Sequence, residues 1–162
     1  MRHPLAMLTL VAIAGILGAT TVGGVFYAFS TFVMGALAQL PPAHGIAAMQ
    51  RINVVVLNPM FLGAFIGTAL LQVACALLAF SDWTPVRSPL LLAAAVLYVV
   101  GCVGVTAAFN VPRNERLKSL PADGPGARDY WAVYLREWTW WNHVRTAASL
   151  AAGACGIVAL LP

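Results

Sequence analysis

The sequence predicts an all-α fold, a four-transmembrane-helix bundle with an interfacial amphipathic helix before the fourth span. Of the 162 residues, 61% are hydrophobic and 9% are charged, whereas an ordinary soluble domain is about 25% charged and about 45–50% apolar. Three runs without charged residues are long enough to cross a bilayer, which takes about 20 residues in a helix. They also lack the alternation of membrane barrel strands. This composition excludes a soluble domain, a disordered chain and, with three Cys, a disulfide scaffold.

Four runs lack acidic, basic and histidine side chains, and we expect one membrane span from each. The third span begins at Ser88 and Pro89, which suit the N-cap and the first helical position. The fourth uncharged run, 146–162, is marginal in length and must extend back into the aromatic segment before it. The spans are expected near residues 5–38, 52–80, 89–111 and 141–161.

Prolines mark the first two spans. The proline pair at Pro41 ends the first helix, because proline has no amide hydrogen and its ring obstructs the preceding turn. Pro59 is expected to kink the second span and to leave the Val55 carbonyl without its helical partner. A freed carbonyl at membrane depth needs another donor. Asn53 and Asn58 are close to it in sequence.

Basic residues are distributed unequally between the two sides that four spans define. The side with both termini and the 81–88 loop holds Arg2 and Arg87, and the side with the 41–51 and 112–145 loops holds the other seven. The positive-inside rule then predicts a multi-pass protein of the cell membrane with these two larger loops in the cytoplasm. The same bias, with anionic lipid, accounts for the net charge of +4, so nucleic acid is not indicated as a partner.

Most of the strongly polar side chains in or beside the spans lie at the end with the larger loops. In the first three spans they belong to stripes whose members recur at steps of three or four residues, which places them on one helical face. At the start of the fourth span an arc of about 160° holds the polar residues Thr139, Asn142, His143, Arg145, Thr146 and Ser149. Polar residues within spans usually face the bundle interior, where they line a site or join helices by hydrogen bonds. If these residues line a site, the sequence predicts a pocket between the helices that opens toward the long loop. Its candidate residues are Tyr27, Asn53, Asn58, Asn110, Asn114, Asn142, His143 and Arg145.

The long polar loop, 112–140, includes the predicted amphipathic helix. Trp131, Tyr134, Trp138 and Trp141 recur at steps of three, four and three, which places them on one face. We expect this helix to lie along the membrane surface and to run into the fourth span. Its aromatic face is either an interfacial belt or a stacking wall for a flat aromatic ligand.

His143 is the side chain near the predicted pocket that is best suited to acid–base chemistry near neutral pH. Arg145 and Asn142 flank it and are candidates to stabilise a developing oxyanion. A structural role for a histidine at a helix start is the alternative. A further alternative is an iron site, whose ligands would be His44, His143 and Glu137 or Glu115.

The sequence lacks the features that are typical of several other functional classes. Cys75, Cys102 and Cys155 lie in separate predicted spans without a C-x-x-C pair, which argues against a thiol exchanger. The spans contain no acidic residue, which argues against a proton-coupled transporter. The sequence also has neither a phosphate-binding loop nor a dinucleotide fingerprint.

Five distinctive segments extend over nearly the whole chain: FYAFS at 26–30, MQRIN at 49–53, NP at 58–59, NVPRN at 110–114 and WTWWNHVRT at 138–146. Together they resemble the anthrone-oxygenase-like family of small four-helix membrane proteins. The N-V-P-x-N and W-N-H-x-R-T segments are the most specific parts of this resemblance.

The resemblance implies a membrane-embedded, cofactor-independent oxygenase that oxidises anthrone-type aromatic polyketides to quinones. Its partners would be the lipid bilayer, a flat aromatic substrate and O₂, with no metal, and a homo-oligomer is left open. In this hypothesis His143 is the base and Arg145 and Asn142 are oxyanion partners. The residues expected to position the substrate or line its pocket are Asn53, Asn58, Asn110, Asn114, Tyr27, Trp138 and Trp141.

A second interpretation comes from a different functional class. The chain would be a non-enzymatic membrane protein that binds a hydrophobic ligand, a lipid or a protein partner through its polar loop end. Oxygen uptake with an anthrone substrate would favour the first interpretation, and co-purification with a partner without oxygen uptake would favour the second.

Overall fold

The computed structural model describes residues 2–162, with side chains from residue 6 onward, and this part of the chain forms five helices and no strand. Two of the helices contain π-helical segments. Helix α1 comprises Arg2–Ala28, the π-helical Phe29–Val33 and Met34–Ala38; α2 is Pro42–Val55; α3 is Pro59–Ser81; α4 comprises Arg87–Val96, the π-helical Leu97–Gly104 and Thr106–Asn110, and Val111–Lys118; α5 is Pro125–Ala159.

Among the described residues, three helical segments are long and apolar enough to cross a membrane: Ala6–Ala38, Pro59–Ser81 and Arg87–Lys118. The all-α prediction is confirmed, and these segments match the first three expected spans. The expected fourth span, 141–161, forms the second half of α5 and is not one of the three, because its polar and charged residues lower its mean hydropathy. The four-span arrangement therefore stays a prediction.

The second expected span is interrupted where the sequence predicted only a kink. Helix α2 ends at Val55, and Pro59 is the first residue of α3. Asn58 caps α3, since its Oδ1 accepts a hydrogen bond from the Phe61 backbone N–H at 3.0 Å. Its Nδ2 donates to the Val55 carbonyl, also at 3.0 Å, and so supplies the donor that the carbonyl needs. Proline is tolerated at the first helical position because an amide there has no intrahelical partner.

The two loops predicted on the polar side are mostly helical. Residues 41–51 lie largely in α2, and the 112–140 segment is divided between the end of α4 and the first half of α5. The sequence predicted a helix only for the aromatic part of the 112–140 segment. The apolar side chains of both segments pack together, and such tertiary burial stabilises short helices. We call this the polar-end cluster, and its buried members are Met34, Leu37, Ile46, Met49, Leu117, Ala127, Tyr130, Trp131, Tyr134 and Trp138.

The predicted amphipathic helix is the first part of α5, whose 35 residues extend for about 52 Å without interruption. Trp131, Tyr134 and Trp138 are buried in the polar-end cluster. The ring centroids of Trp131 and Tyr134 are 5.6 Å apart, and those of Tyr134 and Trp138 are 6.1 Å apart. The interfacial-belt interpretation is therefore wrong for these three residues, since their aromatic face packs against protein.

Helices α1, α3, α4 and α5 pack together through the rest of the molecule. Helices α1 and α5 approach closely at two glycines of α5. A Cβ on Gly153 would lie 2.7 Å from Thr20 Cγ2, and one on Gly156 would lie 2.6 Å from Ile16 Cγ1. Polar side chains on the inner faces of the bundle, such as Gln72, are buried. The amide of Gln72 donates to the Gly15 carbonyl at 3.3 Å.

Candidate functional site

A cavity of about 360 Å³ lies between the polar-end cluster and the middle of the bundle, with walls from α1, α2, α3, α4 and α5. Its volume falls within the range of about 300–1,000 Å³ that is usual for small-molecule sites. The aromatic side chains in its lining are Phe26, Phe29, Phe61, Phe65 and Trp138. The polar and charged residues in its lining are Asn53, Thr106, Asn114, Glu115, Lys118 and Arg145.

Arg145 places a buried cation in the cavity wall, with only 4% of the residue exposed. Its Nη1 donates to Thr106 Oγ1 at 3.1 Å, and its Nη2 donates to Asn142 Oδ1 at 2.6 Å. Within residues 2–162, no carboxylate is in salt-bridge contact with it, and its Nε–H has no hydrogen-bond partner. Buried charges are ordinarily paired, so an arginine without a carboxylate partner in a cavity wall is a candidate for binding an anionic group.

Two aromatic rings flank the guanidinium. Its Cζ lies 4.0 Å from the centroid of the Phe26 ring and 5.1 Å from that of Trp138. These cation–π contacts compensate part of the lost hydration. The indole Nε1–H of Trp138 is also buried without an acceptor. Arg145 and Trp138, two residues of the cavity lining, thus each carry a buried N–H donor without an acceptor.

Asn142 holds Arg145 in position from behind the cavity wall. Its Nδ2 donates to the Phe26 carbonyl and to Ser30 Oγ, each at 2.7 Å. These two bonds turn Oδ1 toward the guanidinium. Asn142 is fully buried and is not among the residues that line the cavity. It therefore acts through Arg145, as a positioning residue.

Asn53 and Asn114 line the cavity as the sequence predicted, and Tyr134 connects them. The Nδ2 of Asn53 donates to the Tyr134 hydroxyl oxygen at 3.4 Å, and that hydroxyl donates to Asn114 Oδ1 at 2.8 Å. Burial raises the pKa of Tyr134, so its hydroxyl stays protonated and keeps donating. These two hydrogen bonds orient the side-chain amides of Asn53 and Asn114 at the polar end of the cavity.

The anthrone oxygenase family model matches residues 58–155, which is more than half of the chain. The chain belongs to the anthrone oxygenase family. Searches of curated proteins and of solved structures found no match. The matched region contains Arg145 and Trp138, while Phe26, Phe29 and Asn53 come from helices that precede it.

Two of the predicted asparagines have structural roles in this anthrone oxygenase family member. Asn58 is exposed and caps α3. Asn110 is fully buried, and its Nδ2 donates to the Trp138 carbonyl at 3.2 Å, while its Oδ1 has no partner. Neither residue lines the cavity. Their predicted contact with a ligand therefore has no support in the geometry.

Tyr27 and Trp141 also lie outside the cavity. Tyr27 is 55% exposed on the outer face of α1, because it is turned about 100° from the inward-facing Phe26. Trp141 stacks on Phe109 with ring centroids 3.6 Å apart. Phe26 and Phe29 occupy the cavity wall that Tyr27 was expected to line. The sequence analysis missed them, although they belong to the same FYAFS segment.

His143 is exposed on a different face of α5 from Arg145 and lines a separate surface groove. At about 100° per residue, the two side chains point about 160° apart around the helix. The expectation that they share one pocket is wrong, and the catalytic role of His143 stays a prediction. Of the alternative iron site there is no sign among the described residues, where no group of three or more His, Cys, Asp or Glu is arranged to hold a metal ion.

Proposed function

We propose that this protein is a membrane-embedded oxygenase that oxidises an anthrone-type aromatic ketone to a quinone with O₂ and without a resident cofactor. The observation that carries the proposal is the buried guanidinium of Arg145, which has no carboxylate partner and stands in the wall of an aromatic cavity. Family membership supports an oxygenase-type reaction. The cavity supports a flat aromatic substrate, because aromatic rings pack well against one another.

The chemistry needs a stabilised enolate. Anthrone carries a methylene between two aryl rings, opposite its ketone, and loss of one methylene proton places negative charge on the ketone oxygen. Arg145 would stabilise that oxygen and so favour proton loss. The enolate gives electrons to O₂, a carbon–oxygen bond forms at the former methylene, and the oxygen–oxygen bond breaks as water leaves. The balance is one anthrone and one O₂ to one anthraquinone and one water.

The other cavity residues supply positioning and a proton acceptor. Phe26, Phe29 and Trp138 would hold the rings, and the amides of Asn53 and Asn114 would bind hydroxyl or carbonyl groups of the substrate. Glu115 is the residue of the cavity lining that carries a carboxylate, and it lies 3.8 Å from the ammonium of Lys118. We assign the proton-acceptor role to Glu115, since His143 is outside the cavity.

The test is turnover of anthrone by the purified full chain in detergent after treatment with a chelator. We expect one O₂ consumed for each quinone formed, with oxygen followed at an electrode and quinone by absorbance. Glu115→Gln should lower kcat by about a hundredfold, the usual size of a lost general base. Asp129→Asn, an exposed carboxylate on α5, is the matched control and should leave kcat unchanged.

The outcomes separate the parts of this proposal. Wild-type protein that binds anthrone without consuming oxygen would overturn the oxygenase function and would favour a non-enzymatic binding protein. Normal turnover in Glu115→Gln would remove Glu115 from the reaction. If His143→Ala alone lost turnover, the base would be His143, as the sequence analysis predicted.

We also propose that residues 141–159 of α5 form a fourth span and that the 41–51 and 112–140 segments face the cytoplasm. The close packing of this half of α5 against α1 supports the span, and the unequal distribution of basic residues supports the orientation. In a cysteine-free background, a single cysteine introduced as Asp82→Cys should react with an impermeant thiol reagent added to intact cells, because the Asp82 side chain is 70% exposed. One at Asp123 should be protected, and the reverse pattern would contradict the orientation.

A further inference from the structure

A second recess, the surface groove that contains His143, lies on the outside of α5 where the end of α4 meets it. The groove has a volume of about 650 Å³. It is separate from the Arg145 cavity, and the proposed oxidation makes no use of it. The residues that define it are Arg113, Arg136, Glu137, Trp140, Trp141 and His143.

The groove carries a net positive charge. The guanidinium of Arg113 donates to Glu137 Oε2 from Nε at 3.0 Å and from Nη2 at 2.8 Å, so these two charges neutralise each other. Its Nη1 is occupied by the Phe109 carbonyl at 2.8 Å. Arg136 and His143 are exposed and have no side-chain partner among the described residues. One free guanidinium and one imidazole are thus available to an anionic group.

The aromatic residues of the groove suit the level of the lipid headgroups. Trp140 is 63% exposed, and tryptophan is enriched where a membrane meets water. The groove also adjoins the start of the proposed fourth span. Leu150 and Ile157 are exposed on the same face of α5 as His143, seven and fourteen residues further along the helix. An apolar track therefore leads from the groove along α5.

We propose that this groove binds the phosphate of an anionic phospholipid. Arg136 and His143 would contact the phosphate, Trp140 would lie beside the glycerol, and an acyl chain would follow the apolar track of Leu150 and Ile157. Basic pockets beside transmembrane helices on the cytoplasmic side hold anionic headgroups in this way. The inference rests on the proposed fourth span and on the charge of the groove, and it is independent of oxidation chemistry.

Native mass spectrometry of the detergent-solubilised full chain tests this site. The protein is mixed with phosphatidylglycerol or with phosphatidylcholine of the same acyl chains, and the retained lipid is counted. We expect preferential retention of phosphatidylglycerol. Arg136→Gln should weaken that retention about fivefold, the usual effect of one basic residue at an anionic membrane surface. Arg136→Lys should restore most of it.

Arg128→Gln is the matched control, because Arg128 is an exposed arginine of the same helix outside the groove. It should retain phosphatidylglycerol as the wild type does. Equal retention of the two lipids, or equal loss in both glutamine variants, would overturn the site. Displacement by inorganic phosphate without any preference between lipids would show a free-phosphate site instead. Anthrone turnover, measured separately, distinguishes failure of this site from failure of the proposed oxidation.

Discussion

Replacing Arg145 with methionine is expected to lower kcat/KM for anthrone oxidation by about a hundred- to a thousandfold, the loss that follows removal of one oxyanion donor. Methionine keeps the unbranched shape but removes the charge and the N–H donors of a residue that lines the cavity. Oxygen uptake and quinone formation by the purified variant measure the effect. Arg145→Lys should be intermediate, because lysine keeps the charge but lacks the planar fork that joins Thr106 to Asn142.

The methionine variant should remain folded, so that its lost turnover reports on chemistry. It removes the desolvation penalty of a buried guanidinium without a carboxylate partner. Against this gain, Asn142 Oδ1 loses its donor, which costs about 1–3 kcal/mol. Arg128→Met, on the exposed face of α5, is the control for loss of a cation. Unchanged turnover in a folded Arg145→Met protein would rule out Arg145 as the oxyanion partner.

The second large effect concerns Trp138, whose replacement by alanine should lower the free energy of unfolding by about 3–5 kcal/mol. Its ring is buried and contacts Phe29 and Tyr134, with centroid distances of 5.8 Å and 6.1 Å. Truncation would open a void that joins the cavity and would remove one aromatic contact of Arg145. Denaturant titration in detergent, followed by tryptophan fluorescence and circular dichroism, measures the change.

Trp140→Ala is the matched control for this substitution. It removes the same side chain two residues further along α5, where the indole is 63% exposed. We expect a loss below about 1 kcal/mol, as is usual for an exposed position. Equal destabilisation by the two substitutions would contradict the burial of the aromatic face of α5 in the polar-end cluster.

The candidate site could be predicted from the sequence only in part. Arg145, Asn53, Asn114 and Trp138 line the cavity as expected, and Asn142 holds Arg145. Arg145, Asn53 and Asn142 were found because polar groups in an apolar span are costly and usually face the bundle interior, and Trp138 was found from the spacing of the aromatic residues. The sequence did not reveal which neighbours share their face. His143 and Arg145 lay at opposite edges of the predicted arc, and the packing of α5 turned only one edge inward.

The fold at the polar end could also be predicted only in part from the sequence. The sequence indicated a loop at 41–51 and a helix only in the aromatic part of the 112–140 segment, yet these segments are largely α2, the end of α4 and the start of α5. Ile46 and Leu117 are fully buried there against aromatic residues of α5. The composition of a segment shows how many charges it has. Whether the segment forms a short helix depends on tertiary contacts with residues that are distant in the chain.

The sequence by itself determined that this is an all-helical chain with spans of membrane length and with its polar residues gathered at one end. Hydropathy and proline position are local properties, and they act on each segment before any tertiary contact exists. Only the tertiary structure decided that Arg145 faces an aromatic cavity while His143 faces a surface groove. His143 and Arg145 point about 160° apart around the helix, so the rotational setting of α5 in its packing determines which of the two meets the other helices.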